Sequence, residues 1–139
     1  VFITVQTPFE EWAGDGSSSP TDDSSGDGIP DGLAWVLGAS DPSSDATSLQ
    51  PVIDTTSDPD YYIFTYRRSD EADADLGTTI DVVYDHDMTD WGTAAVDDGT
   101  NVIITETDNA GVDLVEVKIK KASLTEDRMF IRLRIEFSP

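Results

Sequence analysis

Apolar and polar residues alternate with a period of two along the last third of the chain. In one run Val115, Val117 and Ile119 point one way while Glu116, Lys118 and Lys120 point the other. In the next, Ile131, Leu133, Ile135 and Phe137 oppose Phe130, Arg132 and Arg134. This alternation predicts two strands, Val112–Lys120 and Met129–Phe137, each with one buried and one solvated face. Upstream, Tyr61–Arg68 is aromatic and β-branched throughout, which predicts a strand covered on both faces. Thr79–Tyr84 and Asn101–Thr107 are further strands, and Pro51–Asp54 is a shorter one. Turn-forming runs at Asp97–Gly99, Asp108–Gly111 and Leu124–Arg128 separate them. The pattern predicts a mainly β chain built as an antiparallel β-sandwich of immunoglobulin-like kind.

A helical period is legible only once. Leu33, Trp35, Val36 and Leu37 lie between Pro30, suited to a first helical turn, and Gly38, a helix stop. Ahead of this single short helix, Val1, Phe2, Ile3, Thr4, Val5 and Gln6 read as a strand. It pairs either within its own sheet or with an edge of a neighbouring subunit. Phe9 and Trp12 follow as apolar anchors. Ala13–Gly28 is so rich in Gly, Ser and Asp that it is expected to stay unstructured without a bound ion. Ala39–Asp60 is again acidic and turn-rich. The whole reads as one domain, 1–139, with a loop-rich front over 1–60 and a β core over 61–139.

The front carries the clearest chemistry. Asp23, Ser25 and Asp27 stand at i, i+2 and i+4, a spacing that aims successive oxygens at one hard cation. Gly28 holds the sixth loop position, where the backbone turns sharply. The carbonyl of Ile29 falls at the seventh and Asp31 at the ninth. The twelfth position, an acidic residue in loops of the EF-hand or dockerin type, is Ala34 here. Asp22, Asp15 or Asp41 would have to complete the shell. Calcium is the expected ion, with Asp22 as the preferred extra ligand; the rival is a solvated Asp/Gly/Ser turn that caps the helix.

Charge sharpens this picture. Of 139 residues, 8 are Lys or Arg and 29 are Asp or Glu, a formal net charge of −21. Nucleic acid and anionic membrane are thereby disfavoured as partners, and no apolar run is long enough for membrane insertion. Residues 1–66 contain 12 acids and no base, and all 8 bases lie beyond them. There is no Cys, so disulfides stabilise nothing. A calcium loop of modest affinity suits the extracellular space or a cell surface, where calcium is abundant. A chain opening on Val1 is the expectation for a processed secreted protein or an excised domain.

An enzyme is not expected. The single His, His86, stands between Asp85 and Asp87 in a turn, and without Cys or a second His neither cysteine–histidine catalysis nor a multi-His zinc site is available. Two binding surfaces remain. Lys118, Lys120, Arg132 and Arg134 would form a basic stripe for acidic glycans if they shared a sheet face; the plainer reading is cross-strand pairing with acids such as Glu116 and Glu136. Trp12, Trp35 and Trp91 with Tyr61, Tyr62 and Tyr66 would form a sugar-stacking platform; otherwise Trp35 is core and Trp91 packs over a sheet edge.

The ordered set of motifs resembles the C-terminal domains of large secreted and surface proteins of Verrucomicrobia and related bacteria. The resemblance rests on Phe9 and Trp12, Gly26–Leu33, Leu37-Gly38, Asp41-Pro42, Phe64–Arg68, Thr79–Trp91 and Met129–Ile135. The loop is also similar to thrombospondin type 3 repeats. The resemblance implies a secreted, non-catalytic module that binds calcium. The expected function is a structural or adhesive module, extending to self-association as a surface-filament subunit through Val1–Gln6. The alternative is a carbohydrate-binding accessory module of a secreted polysaccharide-degrading enzyme.

Overall fold

The computed structural model describes residues 6–14, 18–89, 91, 94–124 and 128–138. The chain is mainly β, with two antiparallel sheets. Six strands run in the order β1 (Val52–Asp54), β2 (Tyr61–Ser69), β3 (Thr78–Asp85), β4 (Val102–Asn109), β5 (Val112–Lys120) and β6 (Phe130–Phe137). They match the strands expected from alternation to within two residues at each end. Val1–Val5, the remaining expected strand, lies outside the described residues, and Gln6 is exposed and outside any strand.

One sheet has four strands in the order β1-β2-β5-β4, and the other pairs β3 with β6. Register is set at the β4–β5 hairpin. Asn109 faces Val112, and the two linking residues, Ala110 and Gly111, have φ of 41° and 87°. Two consecutive positive φ values match the twist of the flanking strands and close the tightest hairpin. Pairing then follows outward: Phe64 faces Val117, and Val117 faces Ile104.

The two sheets share one apolar cluster. Phe64, Tyr66, Val102, Val115, Val117 and Ile119 come from the larger sheet, and Val82 with Ile80, Tyr84, Ile131 and Leu133 from the smaller. The alternation expected for β5 holds, since Val115, Val117 and Ile119 are buried while their neighbours are not. β2 departs from expectation. Phe64 and Tyr66 are buried, but Ile63, Thr65 and Arg67 on the opposite face are only half covered.

The chain contains more helix than its pattern predicts. Besides α2 (Asp31–Leu37), there are α1 (Pro8–Ala13) and α3 (Asp70–Ala74), so the expectation of one short helix is corrected to three α-helices among the described residues. At six and five residues, α1 and α3 are too short to show a helical period. End signals make them. The Thr7 hydroxyl accepts the Glu10 N–H at 3.2 Å and Pro8 opens α1, while the Ser69 hydroxyl accepts the Ala72 N–H at 3.3 Å. The three helices cover one end of the sheets through a second cluster, in which Phe9, Trp35, Val36 and Ala72 pack with Ile80, Ile135 and Phe137. The ring centre of Trp35 lies 5.8 Å from that of Phe9 and 6.1 Å from that of Phe137. Thus the front is packed onto the β core, and β1, expected in the front, is an edge strand of the larger sheet.

Candidate metal centre

The acidic loop is anchored from both ends. Asp31 donates its N–H to the carbonyl of Asp22 at 2.6 Å, and Gly32 donates to that of Pro20 at 2.9 Å. These bonds satisfy amides at the start of α2, where Pro30 supplies no side-chain cap. At the other end the Gly38 N–H reaches the Trp35 carbonyl at 3.1 Å and the Ala39 N–H the Ala34 carbonyl at 3.0 Å, a Schellman closure. Gly38 makes it possible with φ of 90°, and its bare Cα faces Val112.

Within the loop the carboxylates gather N–H groups. Asp23 accepts the amides of Gly26 and Gly28, each at 2.9 Å, one on each oxygen. Asp27 accepts the Ile29 amide at 2.8 Å and, across 19 residues of sequence, the Ala46 amide at 2.7 Å. The amides of Ala46 and Ile29 hold the Asp27 carboxyl below the usual carboxylate range. The Ser25 hydroxyl donates to Asp23 at 3.3 Å. Ile29 is buried, packing its side chain with Ala34, Ala39 and Ala46.

Asp31 differs from the other acids of the loop. It is only 1% exposed, and its two oxygens accept the amide and the hydroxyl of Ser24 at 2.9 and 2.5 Å. None of the ion pairs among the described residues involves it. A carboxylate removed from water without a positive partner is costly.

The residues expected to complete the shell are engaged by serines where they are described. Asp22 instead accepts the Ser19 amide at 2.9 Å, and Asp41 accepts the amide and hydroxyl of Ser43. Asp15 lies outside the described residues. Ala34, at the twelfth loop position, is 5% exposed inside the apolar cluster with Ile29. The site therefore takes no ligand from that position.

Carboxylates converge elsewhere. Asp70, Asp108 and Asp113 form one group and Asp85, His86 and Asp87 another, each with ligand atoms within 4.8 Å of one another, so either could hold a metal ion. The first follows from register: Asp108 pairs with Asp113, and Asp113 pairs with Arg68. Arg68, its side chain 11% exposed, reaches Asp113 at 3.0 Å, Glu106 at 3.2 Å and Asp73 at 3.4 Å. Burial, then the charges of Asp113 and Asp108, push the Asp70 carboxyl up. Neither group was singled out by spacing along the chain. Only the hairpin motif at Asp108–Gly111, read for its register, would have placed Asp108 opposite Asp113. His86 lies 3.2 Å from Asp85 and 3.4 Å from Asp87, its sequence neighbours.

The two expected binding surfaces are not assembled as expected. Lys118 and Lys120 belong to the larger sheet and Arg132 and Arg134 to the smaller, so no single sheet face carries a four-residue basic stripe. Arg134 instead pairs with Asp81 at 3.0 Å and Glu136 at 3.5 Å, and Lys118 with Glu116 at 3.8 Å. The aromatic residues are also dispersed. Trp35 and Tyr66 are buried, the Trp12 indole donates to the Ala39 carbonyl, and the Tyr61 hydroxyl donates to the Thr100 carbonyl. Lys121 lies 5.0 Å above the Tyr62 ring, and the Arg132 guanidinium lies 4.3 Å from the Trp91 ring centre.

Fold and loop together define a mainly β, strongly acidic protein with an anchored Asp/Gly/Ser loop beside three short helices. Comparison with protein-family models, with curated proteins and with solved structures finds no match to this chain. The family resemblance drawn from the motifs therefore has no matched relative to rest on.

Proposed function

We propose that the chain is a non-catalytic, extracellular β-sandwich module, structural or adhesive in role, whose acidic loop is completed by calcium. Asp23, Ser25, Asp27, the Ile29 carbonyl and Asp31 are the proposed ligands, all oxygen donors of the kind a hard cation prefers. The observation that carries this reading is the buried carboxylate of Asp31 in a segment without bases. A divalent ion supplies the counter-charge that Ser24 alone does not. In a chain of net charge −21 the same ion also reduces repulsion at the front. The oxygens already bonded to amides retain a second lone pair each, so anchoring the loop and holding an ion are compatible.

The β-sandwich reading is supported by the apolar cluster that the two sheets share. Assembly through Val1–Gln6 is the form of the structural role with a stated mechanism. Carbohydrate binding has weaker support, since Arg132 already occupies one side of Trp91. Thermal unfolding of the purified chain in millimolar calcium and in excess chelator tests the reading, with magnesium and matched ionic strength as controls. A calcium-specific rise in melting temperature is the expected result. Equal melting in calcium and chelator overturns it.

A further inference from the structure

The smaller sheet ends at β6. Alternate residues of an antiparallel strand direct their N–H and C=O away from the partner, so pairing with β3 leaves half of the β6 backbone pointing outward. Among the described residues no backbone hydrogen bond reaches Phe130–Phe137 from that side. The other edges are shorter or partly covered. β1 has three residues, β3 makes a bridge between Val83 and Ala94, and β4 donates the Val102 and Ile104 amides to Asp98 and Asp97.

A second observation marks the same side. Ile53 of β1 pairs with Phe64 and so shares the inward face of the larger sheet, yet it is 45% exposed whereas Phe64 is 6% exposed. The β3 side of the smaller sheet lies toward β4, because Ala95 bonds the Val82 carbonyl and Asp98 bonds the Val102 carbonyl. β6 therefore lies toward β2 and β1, the side on which Ile53 is exposed.

From this geometry we infer that the outer edge of β6, together with Ile53, accepts residues Val1–Gln6 of a second copy as an added strand. The inference rests on the reading of the chain as an assembling structural module and names the surface that assembles. Val1–Gln6 is uncharged, whereas the chain as a whole carries −21; a neutral arm crosses between bodies that otherwise repel. Added as a strand, its alternation would set Val1, Ile3 and Val5 on one face to cover Ile53, and its backbone would bond the edge that is unpaired among the described residues. A neighbouring copy suits the geometry better than the same copy. Thr7 lines a cleft with Phe137 and Ser138, at the far end of β6. An arm folding back on its own β6 would run parallel to it, whereas another copy's arm is free to lie antiparallel, the more stable pairing.

Mass measurements over a wide concentration range in calcium test this with three chains: the full chain, the chain lacking residues 1–6, and full-length Ile53→Asp. Ile53 is exposed enough for the substitution to leave the fold intact, which circular dichroism checks. The full chain should grow with concentration in steps of 15.1 kDa, while each altered chain stays a monomer. Mixing the two altered chains should give a heterodimer and nothing larger, since one supplies only an edge and the other only an arm. A full chain that is monomeric at every concentration, or assembly untouched by both changes, overturns the inference. The calcium dependence of melting is measured separately on the chain lacking residues 1–6. A calcium shift without assembly removes the edge proposal alone, and assembly without a calcium shift removes the ion alone.

Discussion

Replacing Asp31 by Asn separates a calcium ligand from a mere clasp on Ser24. The substitution keeps the shape and removes the charge of a side chain that is 1% exposed and bonded to Ser24 at 2.9 and 2.5 Å. In chelator two effects oppose. Two hydrogen bonds lose their charge assistance, costing about 1–2 kcal/mol in all, while removal of an uncompensated buried charge returns a similar amount. The two proteins should therefore differ by no more than about 2 kcal/mol without the ion. In calcium they should part. At a free concentration of about 100 times Kd, reached near 10 mM for a site in the range of extracellular modules, binding stabilises the native chain by about 2.7 kcal/mol. For a protein of this size that is a rise of roughly 10 °C in melting temperature. A variant binding a hundredfold more weakly gains only about 0.4 kcal/mol, a shift of roughly 1–2 °C. Scanning calorimetry of both proteins with and without calcium provides the four numbers. Equal calcium shifts would refute Asp31 as a ligand, and no shift in the native chain would refute the ion itself.

Three further outcomes follow from packing and charge. Gly38→Ala should cost about 2–4 kcal/mol in urea unfolding, because φ is +90° and a Cβ would meet Val112 at 2.7 Å. Gly99→Ala, at φ +74° with nothing nearby, should lose only the conformational part; equal losses would contradict the contact. Arg68→Met should destabilise by about 2 kcal/mol at low salt, less than a fully buried pair because Glu106 and Asp73 are half exposed. The loss should shrink in about 1 M salt, where the acids left behind are screened, and a salt-independent loss would refute the electrostatic account. Acid should unfold the chain late. The hydroxyl and amide of Ser57, with the Thr56 amide, lower Asp54 to about 2, and the amides of Val102 and Thr100 lower Asp98. Folded values below unfolded ones give stability present above the ordinary carboxylate range and lost as pH falls toward about 2. Asp54→Asn should flatten that part of the stability–pH curve, and an unchanged slope would refute the assignment.

The strands were legible because each reports its own environment: alternation along Val112–Lys120 and Met129–Phe137 is a local consequence of one face meeting the core. The turn over Asp108–Gly111 and the helix between Pro30 and Gly38 were legible for the same reason, since their signals are residues adjacent in sequence. α1 and α3 were not, because at six and five residues each is too short to show a helical period beside its end signals. The acidic loop was readable as a spacing of oxygens. That Asp31 is its buried member, and that Ala34 is sealed beneath it, depended on how the loop packs against Ile29, Ala39 and Ala46.

Periodicity states which way a side chain points but not which strand lies beside it. Lys118, Lys120, Arg132 and Arg134 share a pattern and were separated into two sheets by topology. Asp108, Asp113 and Arg68 share no pattern and were joined by register. The sequence by itself determined the strands, the charge and the spacing of the loop's oxygens, all set by neighbours a few residues apart. Tertiary structure alone decided the grouping of Asp70, Asp108 and Asp113 and the edge of β6 that is unpaired among the described residues, because each depends on which distant segments share a backbone ladder and where that ladder stops.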